Sequence, residues 1–215
     1  MLELDHIVIA TPDMDESISQ YGNKFAIKAI KGGEHEAWGT YNYLSFFSNN
    51  GYLEFLGIDD LEKAKDAENP LIQHLVYVLE RNNYGAFQFA LRTKQLDQYV
   101  THFEKNNIAY HGPYDAQREK PDGTILKWRM LFPEYNYENG VLPFLIEWED
   151  PKVVFSEANL ANAQNITKIK FGGITKEDFA HIYQLKPKKL NKNLLHLLNS
   201  KILFDDDKKL RFDLA

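Results

Sequence analysis

The apolar and polar positions of the first sixty residues alternate in a way that predicts one strand, one helix and three more strands. Residues 3–10 (Glu-Leu-Asp-His-Ile-Val-Ile-Ala) form a β-branched run that stops at Thr11-Pro12-Asp13. That stop opens a helix over 13–24. Pro12 suits its first turn, Asp15 and Glu16 complement its positive end, and Met14, Ile18 and Tyr21 recur at helical spacing. Phe25 to Ile30 predicts a short strand, broken by Gly32-Gly33. Thr40 to Phe47 and Tyr52 to Ile58 predict a hairpin turning at Ser48-Asn49-Asn50-Gly51, because Asn-Gly between alternating apolar runs is a strong hairpin signal.

Residues 60–82 read as a helical connector, interrupted at Pro70 and resumed by Leu71, Leu75, Val78 and Leu79. The first pattern then returns. Phe87 to Thr93 predicts a strand, and Leu96, Tyr99, Val100 and Phe103 mark one face of a helix. A polar loop follows, then strands over Thr124–Phe132 and Leu142–Trp148, split by Asn139-Gly140. Thr11 to Asp15 matches Thr93 to Asp97 at a constant offset of 82.

The repeat predicts an α+β fold in which paired βαβββ modules form a strongly curved mixed sheet around a cavity. The expected boundaries are a first module over 1–60, the connector over 61–84, a second module over 85–150, and a C-terminal β/α extension over 151–215. The extension starts like a third module, with a strand over 166–171, Gly172-Gly173 and a helix over 176–185 ended by Pro187. A further helix is expected over 194–198 and a hairpin over 201–214, turning at Asp205-Asp206-Asp207. A partial module needs a partner, since a bare edge strand invites pairing. The expectation is packing on the first sheet or a contact between two copies of the chain, a homodimer.

Composition narrows the function classes. Across 215 residues, 14 Phe, 12 Tyr and 3 Trp supply area for a core and a lined cavity. The net charge of −6 argues against nucleic acid, whose phosphates call for clustered Lys and Arg. The basic run from Lys186 to Lys192 reads as a solvated segment. Without cysteine there is no disulfide, thiolate metal site or cysteine nucleophile. The N-terminus lacks a signal-peptide pattern and no apolar run spans a bilayer, so a cytoplasmic protein without membrane association is expected.

Candidate chemistry concentrates on a few residues. His6 stands before Ile-Val-Ile on the first strand, and is either a strand-end histidine tied to a carbonyl or a metal or proton-transfer group. Glu54, inside Tyr-Leu-Glu-Phe-Leu, needs a partner in a pocket unless that strand face is wet. The segment Gly32 to Thr40 places His35 and Asn42 beside the expected pocket, as ligand contacts or as parts of a loop that holds Trp38 as a lid. Arg118, near Pro121-Asp122-Gly123, is an exposed turn charge or an anchor for a substrate carboxylate or carbonyl. His74, His102, His111, His181 and His196 fall into no cluster, and no Ser-His-Asp grouping, P-loop or Gly-x-Gly-x-x-Gly occurs.

Taken together, Leu4-Asp5-His6-Ile7-Val8-Ile9-Ala10 with Pro12-Asp13, Gly32-Gly33-Glu34-His35 with Gly39-Thr40-Tyr41-Asn42, and Tyr52-Leu53-Glu54-Phe55-Leu56 resemble the glyoxalase-like group of the vicinal oxygen chelate superfamily. Pro121-Asp122-Gly123, Trp128-Arg129, and Pro143-Phe144-Leu145-Ile146 with Trp148 extend the likeness to about residue 150. The resemblance implies a divalent metal (Zn, Ni, Mn or Fe) that chelates adjacent substrate oxygens, held by the first and last strands of each module. Carried over, those ligands are His6, Glu54 and, by the offset of 82, Gln88. The fourth stays open. Aligning Gly51 with Gly140 sets Pro143 opposite Glu54, whereas aligning Glu54-Phe55 with Glu147-Trp148 selects Glu147. A one-residue slip reverses the facing. The implied function is a metal-assisted lyase, isomerase or dioxygenase on a small oxygenated substrate, with His6 and Glu54 catalytic and His35, Asn42, Gln88, Arg118 and Asp122 contacting the ligand. The alternative is a metal-free protein of the same fold that binds or sequesters a small molecule.

Overall fold

The computed structural model describes residues 2–120, 123–150, 161–186 and 193–215. Its larger sheet has eight strands in the order β2-β3-β4-β1-β5-β8-β7-β6. These are β1 (Glu3–Ala10), β2 (Ile30–His35), β3 (Thr40–Phe46), β4 (Tyr52–Ile58), β5 (Gly85–Arg92), β6 (Tyr110–Glu119), β7 (Ile125–Pro133) and β8 (Phe144–Trp148). Read outward from the antiparallel β1–β5 junction, the two halves have the same order, and in each the first strand pairs parallel with the last. The sheet is strongly curved, as the duplicated pattern predicts. Helices α1 (Met14–Phe25) and α4 (Leu96–Asn106) follow the first strand of each half, while α2 (Leu61–Asp66) and α3 (Pro70–Glu80) connect the halves.

Two apolar layers hold the sheet. The convex layer joins Ile7, Ile9, Leu53, Phe55, Phe89 and Leu91 to Leu96 and Phe103 of α4. The concave layer joins Val8, Leu56, Ala90, Phe144 and Ile146 to Leu71, Ile72 and Leu75 of α3. The connector thus fills one end of the concavity and leaves the other open.

Several local expectations change. Residues 25–29 form no strand: α1 runs to Phe25, Ala26 ends it in the left-handed conformation (φ 54°), and β2 begins only at Ile30 and includes Gly32 and Gly33. The expected polar loop before residue 124 contains β6, an edge strand whose residues alternate between half-buried and exposed. Its inward positions are Tyr110, Gly112, Tyr114, Ala116 and Arg118, so no apolar run announces it.

The C-terminal segment forms a second, four-stranded sheet in the order β10-β11-β9-β12, from β9 (Ile166–Phe171), β10 (Leu194–His196), β11 (Lys201–Phe204) and β12 (Arg211–Leu214), with helix α5 (Lys176–Ile182). Residues 194–196 are strand rather than helix, because Leu195 and Leu197 alternate into the core while Leu198 is 55% exposed. Residues 201–214 are not a hairpin: β9 lies between β11 and β12, parallel to one and antiparallel to the other. This sheet packs on the convex layer of the first, with Phe89 against Phe171 at 5.3 Å and the Tyr183 hydroxyl donating to Pro143 O at 2.7 Å. Of the two partners expected for the partial module, the structure shows the first sheet. The basic run and Pro187 lie largely outside the described residues.

Candidate functional site

The open end of the concavity is a cavity of about 230 Å³, floored by β1 and β4 and walled by β3, β7, β8 and α3. It leads into a larger open cleft between the edge strands β2 and β6, with Gly32, His35, Trp38, Arg118 and Trp148 lining both.

At its floor lie three acid–base groups, and a backbone irregularity brings them together. The β1–β5 register shifts between Leu4 and His6, so Leu4 and Ile7 share the convex layer and strict alternation is broken. Asp5 therefore sits beside His6 on the cavity side. His6 Nδ1 donates to Asp5 Oδ1 at 2.7 Å. Asp5 also accepts from Arg92 Nη1 at 3.1 Å and Trp148 Nε1 at 3.0 Å, and Glu3 pairs with the same Arg92. Complete burial would raise the Asp5 carboxyl; the His6 hydrogen bond and charge, with Arg92 and Trp148, outweigh it and hold the group below the usual 3.8. An ionised carboxylate only accepts, so the His6 proton belongs on Nδ1 and Nε2 is left to face the cavity.

Nε2 lies 3.4 Å from Glu54 Oε2 and has no hydrogen-bond partner. Glu54 is aimed by parity, with Tyr52 and Leu56 on the same face of β4. Asn42 Nδ2 donates to Glu54 Oε1 at 2.5 Å, leaving Asn42 Oδ1 buried without a partner. Gly32 lets β2 pack closely here, because a Cβ would come within 2.1 Å of Asn42 Oδ1 and displace that amide. The His6 ring stacks on Tyr52 (4.6 Å between centroids, 21°), and burial holds the Tyr52 hydroxyl protonated, far above its usual range. His35 hydrogen-bonds the Thr40 hydroxyl at 3.1 Å; burial lowers its pKa despite nearby Glu54, so it stays neutral near pH 7. Arg118 reaches from β6 to the Gly32 carbonyl of β2 and spans the cavity mouth.

His6, Glu54, His35, Asn42 and Arg118 thus come together, and Gln88 does not. Gln88 lies opposite Val8 on the concave face, at the end of the concavity that α3 fills. There it donates to Tyr135 Oη at 2.6 Å and Leu142 O at 3.2 Å. Asp122 lies outside the described residues. Asp5, Arg92, Tyr52 and Trp148 were missed. An extra residue in a strand leaves no mark in an alternation pattern, although an acid beside His6 in so apolar a strand was a usable signal.

The donor set does not fit the implied metal. Thr11 N donates to Leu56 O as Thr93 N donates to Ile146 O, and the extra residues at the two register shifts, Asp5 and Phe87, keep the same offset of 82. Gln88 and Phe144 therefore hold the places in the second half that His6 and Glu54 hold in the first; Phe144 has no donor atom, and the Gln88 amide is engaged by Tyr135, Leu142 and Phe89 N. The open fourth position is settled by facing. Ile146 and Trp148 enter the cavity, whereas Glu147 turns to the other side, accepting from Leu96 N at 3.3 Å and from Arg129. Among the described residues, no group of three or more His, Asp or Glu is arranged to hold a metal ion.

Paired βαβββ modules closing on one cavity, with buried acid–base groups at its floor, define the fold class. The chain belongs to the glyoxalase-like domain family, whose model matches residues 4–186, within the vicinal oxygen chelate superfamily. A hypothetical protein from Staphylococcus aureus superposes with a TM-score of 0.78 at 18% identity, over 97% of this chain and 88% of that one. Methylmalonyl-CoA epimerase from Mycobacterium tuberculosis gives 0.51 at 20% identity, over 70% and 90%. A hypothetical protein from Bacillus halodurans C-125 gives 0.51 at 16%, over 69% and 96%. At these identities the likeness is one of fold. No curated protein matches the sequence. No helix among the described residues is long and apolar enough to cross a membrane.

Proposed function

We propose that the cavity binds a small oxygenated molecule and that Glu54, assisted by His6, moves a proton on it, an isomerase- or lyase-type reaction. The observation that carries this is the line of groups Asp5–His6–Glu54, with His6 Nε2 unsatisfied and facing the cavity. Buried polar atoms rarely lack a partner, and a ligand oxygen supplies one. Glu54 takes a proton from a carbon of the ligand and returns it to the same or a neighbouring carbon, while His6 Nε2, kept an acceptor by the Nδ1–Asp5 hydrogen bond, accepts from the ligand oxygen beside it. In an isomerisation the two transfers balance and no electrons leave the ligand. No step runs through a metal.

The test is deuterium uptake from D₂O into a panel of small hydroxy- and oxo-compounds, followed by proton NMR. The wild type should exchange a carbon-bound proton of at least one member, and Glu54→Gln or His6→Asn should abolish that exchange while the protein stays folded. A second reading, binding without chemistry, is favoured by the apolar walls formed by Leu44, Phe46, Leu126, Met130 and Phe144. Tight binding without exchange would select it and overturn proton transfer.

A further inference from the structure

Arg118 differs from the other cations of the cavity and cleft. Lys31 pairs with Glu34, Lys127 with Glu149, and Arg129 with Asp97 and Glu147, while Lys120 is engaged within the chain. Among the described residues, Arg118 pairs with no carboxylate, and its guanidinium donates to the Gly32 carbonyl alone. A guanidinium has five N–H donors, so most of its capacity is unspent at the mouth. Gly33 makes room for the stem, since a Cβ there would lie 2.7 Å from Arg118 Cδ. Arg118 lines both the cavity and the cleft, whereas the unsatisfied Nε2 of His6, 3% exposed, marks the floor.

We infer that the ligand is a small hydroxy acid. Its carboxylate lies on Arg118 at the mouth, where a planar fork binds two oxygens at once. Its hydroxyl lies at His6 Nε2 beside Glu54, and its apolar body rests against Trp128 and Phe144. The volume suits roughly ten non-hydrogen atoms, on the order of one per 15–30 Å³. Charge selection is local, because the surrounding cleft mixes acids with bases. This assignment rests on the proposed use of the cavity and names its substrate class.

The test uses three matched probes on the full chain: 2-hydroxy-4-methylpentanoate, its amide, and 4-methylpentanoate. Calorimetry should show the hydroxy acid binding at least tenfold more tightly than either of the others. Arg118→Gln should remove the preference for acid over amide, and Arg118→Lys should restore part of it. Equal binding of acid and amide by the wild type, an Arg118→Gln protein that keeps the preference, or no binding of any probe would overturn the inference. The hydroxy acid bound with the stated preference but without deuterium exchange would sink the proton-transfer reading alone. Exchange on an uncharged compound, dependent on Glu54, with no charge preference would sink the hydroxy-acid assignment alone.

Discussion

At the scale of single residues, the account turns on Asp5. It is fully buried, and three donors converge on it. Replacing it with Asn leaves Arg92 and His6 without their shared anion and should destabilise the protein by about 3 kcal/mol, the order for breaking a buried charged network. The pH dependence has a definite sign. Because the folded pKa lies below 3.8, Asp5 stabilises the fold above that value, and the contribution is lost as pH falls from 3.8 through the lower folded value. Urea titrations from pH 5 to pH 2 should therefore fall more steeply for the wild type than for Asp5→Asn; parallel curves would count against an ionised Asp5. His6 and Glu54 were legible as candidates because each sits where an apolar strand has no reason to carry charge. The residue joining them was not, since alternation assigns Asp5 and His6 to opposite faces and only the register shift reunites them.

At the scale of elements, the connector helix α3 is clamped by His74. Its ring stacks on Tyr137 (4.2 Å, 11°), and Nδ1 accepts from the Tyr135 hydroxyl at 2.9 Å, which in turn accepts from Gln88. Burial pushes the His74 pKa from 6.5 down to about 3. The unfolded chain thus binds a proton that the folded one refuses. Stability should be complete above pH 6.5 and fall towards pH 3, by roughly 3 kcal/mol at pH 4. His74→Phe should flatten that slope by about one proton, at a cost of about 1 kcal/mol near neutrality for the lost hydrogen bond. An unchanged slope would place the proton elsewhere. Elements with a clear period were readable: β1, β3, β4, α3 and α4 all follow their apolar spacing. Edge strand β6 was not, because its inward positions carry Gly, Ala, Tyr and Arg, and short β10 was not, because four leucines in five residues suit either period.

At the scale of the whole molecule, the duplicated halves and their enclosed cavity were visible in the order of elements. What the C-terminal sheet contacts was not, since that depends on two surfaces distant in sequence. The sheets lock where backbones touch: Gly173 (φ 90°) leaves no room for a side chain, and a Cβ would come within 1.9 Å of Asn139 O. Gly173→Ala should cost about 2 kcal/mol or more through strain and separation of the two loops, read as a lowered Tm. A wild-type Tm would mean that this contact does not hold the sheets together. The cavity-facing histidine at the centre of the molecule is most directly tested by the ¹⁵N and ¹H NMR signals of His6 across pH 5–8. The account predicts Nδ1 protonated and hydrogen-bonded throughout, with an Nε2 signal that moves in Glu54→Gln while Nδ1 stays in place. A His6 with Nδ1 bare, or an Nε2 signal indifferent to Glu54, would contradict it.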